Sequence, residues 1–188
     1  PLARPRLEVD YANLLITVGR LGLDRRRPVA VLCPGAEYGP AKRWPAAHFA
    51  GLARALAGRG FSVWIIGSEA DRAVGEEIAG ASGGAAVSIC GRTDLAAAID
   101  LISAARLAVT NDSGLMHIAA AHGVPLVALY GSSSPAHTPP LAPEARLVQL
   151  EGIPCSPCFE RECPLGHFRC MNELRPERVM AEIALLGI

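Results

Sequence analysis

Short apolar runs recur along this chain, each followed by a polar or glycine-containing turn and then by a stretch of helical periodicity. The runs Val29–Cys33, Phe61–Ile66, Ala86–Ile89, Leu107–Thr110, Leu126–Tyr130 and Arg146–Leu150 have strand length, and most lack polar/apolar alternation. That pattern belongs to strands covered on both faces. Between them the spacing predicts helices with recognisable punctuation. Pro45–Ala57 opens on a proline and meets Gly58; Ala70–Ala79 follows Gly67-Ser68-Glu69; Leu95–Ala105 follows Thr93 as N-cap. Gly114–His122 follows Asp112-Ser113 and stops at Gly123, and Glu177–Leu186 lies between Pro176 and Gly187. Strands and helices alternating at this spacing need crossover connections, so the expected fold is α/β, a parallel sheet with helices on both faces.

Residues 1–28 stand outside this rhythm. They hold a candidate short helix, Tyr11–Leu21, then Asp24-Arg25-Arg26-Arg27-Pro28, and are expected to be a linker or N-terminal extension ahead of a domain spanning 29–188. Three adjacent arginines suit an anionic lipid surface as well as plain solvation. With 188 residues, 51% of them hydrophobic, the chain can bury a core, which excludes disorder. Lys+Arg and Asp+Glu are 18 each and aromatics only 5%, so the basic excess and stacking surface of a nucleic-acid binder are missing. No apolar run approaches bilayer length and no apolar leader follows Pro1-Leu2-Ala3-Arg4-Pro5; without an initial methionine the chain is expected to be a fragment.

Ligands of open parallel sheets sit outside the carboxyl ends of the strands. The turns expected there are Pro34–Pro45, Gly67-Ser68-Glu69, Gly91-Arg92-Thr93, Asn111-Asp112-Ser113-Gly114 and Gly131-Ser132-Ser133-Ser134-Pro135. Small polar turns repeated along one edge predict a continuous polar cleft. Standard motifs fail: Gly35 to Lys42 lacks Walker A spacing, with Arg43 where the hydroxyl would be, and no G-x-G-x-x-G, H-E-x-x-H or G-x-S-x-G occurs.

The densest constellation is Thr110-Asn111-Asp112-Ser113-Gly114-Leu115-Met116-His117, a strand end, a polar turn and a helix start. Free amides and the helix dipole there favour a phosphate, Gly114 permits close approach, and His117 one turn on can face the same ligand. Asp112 suits hydroxyls or an amine. The ordinary alternatives are Ser113 as N-cap, Asp112 as turn former and His117 as a half-buried core histidine. Lys42, the one lysine in the chain, is expected on a facing loop, where its ammonium could neutralise a diphosphate or simply be solvated.

Within a Cys-rich loop over 151–175, Cys155, Cys158, Cys163 and Cys170 are spaced C-x2-C-x4-C-x6-C around His167. Structural zinc, free thiols and disulfides all remain open for them. Cys33 and Cys90, at strand ends, read as small buried apolar residues.

Four stretches in this order, Cys33–Pro45, Thr110–Ala121, Pro125–Pro135 and His137–Leu141, make the chain resemble the C-terminal half of glycosyltransferase family 9 over roughly residues 29–188. The resemblance implies a GT-B enzyme with two Rossmann-like domains, of which this one holds ADP-L-glycero-D-manno-heptose. It implies heptosyl-Kdo2-lipid A as acceptor, inversion at the anomeric centre, no required cofactor, and a cytoplasmic protein that can associate peripherally with the inner face of the inner membrane. Carried onto this sequence, Lys42 would contact the donor phosphates, with Ala36 and Glu37 near the donor. Glu69 would meet the ribose, Thr93 lie near the adenine, and Asp112 bind the heptose hydroxyls. Ser113, Gly114 and His117 would hold the diphosphate. The catalytic aspartate of the family belongs to the other half, which also carries the acceptor contacts; no residue here matches it, so this chain is expected to bind donor without transferring sugar. Two rivals stand beside this expectation: a nucleotide-binding module of similar fold with no transferase role, and a cysteine-metal interaction domain with a vestigial cleft.

Overall fold

The computed structural model describes residues 4–188. Its strands are β1 (Val29–Cys33), β2 (Ser62–Ile65), β3 (Ala86–Ser88), β4 (Leu107–Asn111), β5 (Leu126–Tyr130) and β6 (Arg146–Gln149). They form one sheet in the order β3-β2-β1-β4-β5-β6, with every pairing parallel. Every residue of the central strands β1, β4 and β5 is buried, the outcome expected of runs without alternation.

The helices are α1 (Tyr11–Leu21), α2 (Ala46–Gly58), α3 (Arg72–Ala81), α4 (Leu95–Ser103), α5 (Gly114–Ala121), α6 (Arg169–Asn172) and α7 (Pro176–Leu185). They cover both faces. One core layer packs Phe49, Leu52, Ile78 and Ile183 on Leu32, Ile65 and Val109. The other packs Leu14, Leu101, Met116 and Ala119 on Val31, Trp64 and Ala128. The cap of α4 is Asp94, whose carboxylate accepts from Ala97 N at 2.8 Å, rather than the expected Thr93. α3 begins later than expected because Glu69–Asp71 first make a 3-10 turn.

Residues 1–28 hold the expected helix, α1, which is docked on the domain; residues 1–3 lie outside the described residues. Asp10 caps α1 by accepting from Asn13 N. The buried Asp100 of α4 accepts from Asp10 N at 3.0 Å and Asn13 Nδ2 at 2.7 Å. Leu14, Leu21 and Leu23 then join the second core layer. The arginine run 25–27 stays exposed.

Asn111, fully buried at the end of β4, fastens the long loop after β1 at both ends. Its Nδ2 donates to Pro34 O at 2.7 Å and its Oδ1 accepts from Trp44 N at 3.2 Å. Trp44 is itself anchored through Nε1 to Leu174 O at 2.7 Å. Asn111→Ala leaves a buried carbonyl and a buried amide unpaired, a loss of roughly 2–6 kcal/mol at about 1–3 per group. Chemical denaturation should report that loss; a change within about 0.5 kcal/mol, typical of surface substitutions, would mean the loop is held by something else.

Candidate functional site

β1 continues to β2 on one side of the sheet, whereas β4 continues to β5 on the other. A crevice opens above the carboxyl ends of strands where the order diverges in this way. The loops leaving β1 and β4 carry Lys42 and Asp112. Lys42 Nζ donates to Asp112 Oδ2 at 2.7 Å, and the side chains are only 14% and 4% exposed. The ammonium also lies 4.9 Å from the centroid of the Tyr38 ring. Thr138, from the loop after β5, donates Oγ1 to the same carboxylate oxygen at 3.0 Å, and Tyr130 Oη donates to Thr138 O at 2.7 Å. Burial first, and the Asp112 charge second, raise the pKa of the Tyr130 hydroxyl above its ordinary value, so it remains a donor.

Lys42 therefore bonds directly to the residue before Ser113, the N-cap position of α5. Ser113 is extended, at φ −152° and ψ 173°, and its side chain caps nothing. Its Oγ is buried without a partner, as are the hydroxyls of Thr110, Ser132 and Ser133. These four hydroxyls cluster at the carboxyl ends of β4 and β5. Buried polar groups are nearly always paired, so these unpaired hydroxyls stand out along the carboxyl edge of the sheet. A Cβ at Gly114 would meet nothing within 4 Å, which leaves the start of α5 open.

Beside this edge lies a cavity of about 540 Å³. Ala36, Glu37, Glu69, Thr93, Ser113 and Gly114 all contribute to its walls. Its apolar side comes from Ile66, Leu95, Ala98, Leu115 and Ile118; its charged residues are Glu37, Glu69, Asp71 and Asp94, with no lysine or arginine. Such a chamber suits hydroxyls and an apolar ring better than a phosphate. Asp71 Oδ2 accepts from Ser68 N at 2.9 Å and Ser68 Oγ at 2.8 Å. A Cβ on Gly35 or Gly67 would lie 2.5 or 2.7 Å from Asp71 atoms, so both positions need glycine for the loops to approach. Glu69 is exposed at the rim and gripped by Arg72, whose Nε donates to it at 2.7 Å; that bond lowers the Glu69 pKa. A larger cavity, about 660 Å³, lies away from this edge, around Gly123–Pro125 at the start of β5.

Of the residues singled out in the sequence, the structure thus gathers Lys42, Asp112, Ser113 and Gly114 at one point and Glu69 and Thr93 around the adjoining cavity. His117 is exposed on α5 and does not line that cavity. Thr138, Tyr38 and Asn111 were given no role from sequence. Thr138 lies in the quoted stretch His137–Leu141, whose position beside Asp112 is a tertiary matter.

Cys155, Cys158, Cys163 and Cys170 are half-buried, with no sulfur–sulfur bond among them in the structure. Among the described residues no three His, Cys, Asp or Glu side chains are already arranged to hold a metal ion. Cys33 and Cys90 are buried as expected, and burial pushes the Cys90 thiol up to about 11.

The sequence model for glycosyltransferase family 9 (heptosyltransferase) matches residues 3–169. Lipopolysaccharide heptosyltransferase 2 of Escherichia coli K12 is 41% identical over 191 residues, covering 99% of this chain and 54% of that protein. Lipooligosaccharide heptosyltransferase 2 of Haemophilus influenzae is 46% identical over 191 residues, covering 97% and 55%. The solved structure of the E. coli ADP-heptose lipopolysaccharide heptosyltransferase II superposes with a TM-score of 0.85 at 40% identity, across 99% of this chain and 54% of that one. A family 9 glycosyltransferase from Veillonella parvula, at 22% identity and a TM-score of 0.81, shares the fold. The chain spans about half the length of the curated relatives it matches, corresponding to their C-terminal half. On the family match and this near-complete similarity, the chain belongs to glycosyltransferase family 9.

Proposed function

We propose that this domain seats the donor ADP-L-glycero-D-manno-heptose for heptose transfer to the heptosyl-Kdo2-lipid A inner core of lipopolysaccharide. The observation that carries this is the buried Lys42–Asp112 pair beside the orphan Ser113 hydroxyl and the open start of α5. In this reading the adenosine occupies the acidic, half-apolar cavity, its ribose toward Glu69 and its base near Thr93. The diphosphate lies at Ser113 and Gly114, facing the Lys42 ammonium, with His117 reaching it from the exposed side of α5. Asp112 commits Oδ2 to Lys42 and Thr138, which leaves Oδ1 for a sugar hydroxyl.

Transfer breaks the bond between the anomeric carbon and the diphosphate oxygen while an acceptor hydroxyl attacks the opposite face. Negative charge then gathers on the departing ADP. Lys42 and the α5 amides lie where that charge would develop, a preorganised arrangement that needs no reorganisation during the step. The base that takes the acceptor proton belongs, in this proposal, to the other half of the enzyme. No helix among the described residues is long and apolar enough to cross a membrane. Peripheral contact at the cytoplasmic face, where the lipid acceptor lies, would then bring enzyme and acceptor together.

Calorimetry with ADP, UDP, GDP and NAD should find ADP preferred; preference for UDP or NAD removes the ADP-heptose assignment. Lys42→Ala should weaken ADP roughly 10–100-fold, the size of one charge-assisted bond of about 1.5–3 kcal/mol. It should also lower stability, because Asp112 is left buried and unpaired. His117→Ala should weaken ADP with stability unchanged. Thr138→Val tests the carboxylate clamp: ADP binding should fall by a smaller factor, with recovery in Thr138→Ser. Unchanged affinity in both Lys42→Ala and His117→Ala would show that the phosphate lies elsewhere.

A further inference from the structure

The stretch from the end of β6 to the start of α6 has neither helix nor strand over 150–168, yet it straps the loops after β1 and β5 together. Its own apolar residues do little to fix it: Ile153 is buried, whereas Phe159 and Leu165 are 46% and 62% exposed. Hydrogen bonds hold it instead. Arg161 O accepts from Ala41 N at 3.0 Å, and Phe159 O accepts from Tyr38 Oη at 2.7 Å. On the other side Phe159 N donates to Ser132 O at 2.6 Å and Ser156 Oγ to Gly131 O at 2.8 Å. A Cβ on Gly39 would collide with the Arg161 carbonyl, so the strap lies directly on the Lys42 loop. Between these ties Phe159 is held at φ 61°, a left-handed conformation that a bulky residue rarely adopts unless its surroundings impose it.

The clamped backbone delivers one side chain to the site. The Arg161 guanidinium carbon lies 5.3 Å from the centroid of the Tyr38 ring, and the Lys42 ammonium lies 4.9 Å from the same centroid. Both contacts are in the cation–π range. Two cations thus share one aromatic ring and stand no farther apart than those two distances joined. Their charges are not equally spent. Lys42 is already paired with Asp112, Arg72 with Glu69, and Arg43 turns its Nη2 to Ala36 O at 3.4 Å. Arg161 is exposed, and among the described residues no carboxylate pairs with it. Its chain neighbours Glu160 and Glu162 are left unpaired as well, so the guanidinium rests on the ring in preference to either.

A diphosphate is multiply anionic, whereas the Lys42–Asp112 pair has no net charge and a helix start offers only a partial one. An unpaired guanidinium beside that pair supplies the missing positive charge, and it gives up no partner when ligand arrives. Its planar fork of N–H donors also matches phosphate oxygens two at a time. We propose that Arg161, carried by the strap and seated on the Tyr38 ring, is a further donor-binding residue that engages the diphosphate together with Lys42. This role rests on the donor reading above, yet not on which base the nucleotide carries.

The test is calorimetry of the unaltered chain, Arg161→Ala and Arg161→Lys with inorganic pyrophosphate, ADP and adenosine. Arg161→Ala should weaken pyrophosphate and ADP roughly tenfold, the low end for a hydrogen bond to a charged group. Adenosine affinity and the melting temperature should not change. Arg161→Lys should recover part of the loss, since it restores the charge but not the fork. Unchanged affinity for ADP or pyrophosphate in Arg161→Ala, or an equal loss of ADP and adenosine, would overturn the role. So would failure of the unaltered chain to bind pyrophosphate or any nucleoside diphosphate. Should the unaltered chain prefer UDP, the same comparison with UDP and uridine tests Arg161, so the adenine assignment and this one fail separately.

Discussion

Three loops of this domain converge on one carboxylate oxygen. Asp112 Oδ2 takes the Lys42 ammonium from the β1 loop and the Thr138 hydroxyl from the β5 loop, and Asp112 itself opens the turn after β4. Two charges so poorly solvated are tolerable only when paired and further hydrogen-bonded, and here Thr138 supplies the additional bond. The pair is weak evidence for overall stability. Its consequence is positional: the lysine cannot swing away without leaving a buried anion, so a cation on a flexible stem becomes a fixed positive point. Asn111 reinforces this from below by tying both ends of the same loop to β4.

Charge is distributed along the edge in a way that divides a ligand into parts. The cavity beneath Glu37, Glu69, Asp71 and Asp94 repels phosphates and accepts hydroxyl and amine protons, while Leu95, Ile66 and Ile118 offer a flat apolar surface. The positive elements, Lys42 and the amide end of α5, stand at the mouth. A nucleoside inside with its diphosphate outside meets complementary potential at each end; the reverse orientation would bury a dianion among carboxylates. The orphan hydroxyls of Ser113, Ser132 and Ser133 follow β4 and β5 at the same carboxyl edge of the sheet.

The strands and helices were legible because each carries its cause locally. Buried runs such as Val29–Cys33 and Leu126–Tyr130 show no alternation, and glycine or proline marks most helix ends. Where two local signals compete, sequence alone chose wrongly: Thr93 and Asp94 are both good caps, and only the structure shows Asp94 holding Ala97 N. α6 has four residues, too few for a periodicity to register. At the site, Lys42, Asp112 and Ser113 were visible as unusual residues at strand ends. Their mutual bonding was not, because Lys42 and Asp112 are 70 positions apart and Asn111 reaches back 77 to Pro34. The role of Arg72 was hidden differently. It holds Glu69 three residues away, but that spacing signals a side-chain pair only on a helix, and Glu69 stands in the expected turn, ahead of the helix expected from Ala70, where the structure has a 3-10 turn over Glu69–Asp71.

Under the proposed function, loops, the least rigid parts of a fold, must present charges accurately enough to distinguish a departing diphosphate from a bound one. Differential stabilisation needs donors fixed before the charge develops, and loops fixed only by their own chain entropy would relax. Here each loop is tied to something that does not move with it: the β1 loop to Asn111 and the strap, the β5 loop to Asp112 through Thr138 and to the strap through Ser132. The strap crosses between them and enters α6 and α7, where Met171, Leu174 and Ile183 are buried in the first core layer. The rigidity of the sheet therefore reaches the site by two routes, upward along β4 and around through the strap. The second route is the weaker, since it runs through a segment with almost no core of its own. Any agent that tightens that segment tightens the loop bearing Lys42 and, through Gly35–Glu37 of the same loop, one wall of the acidic cavity.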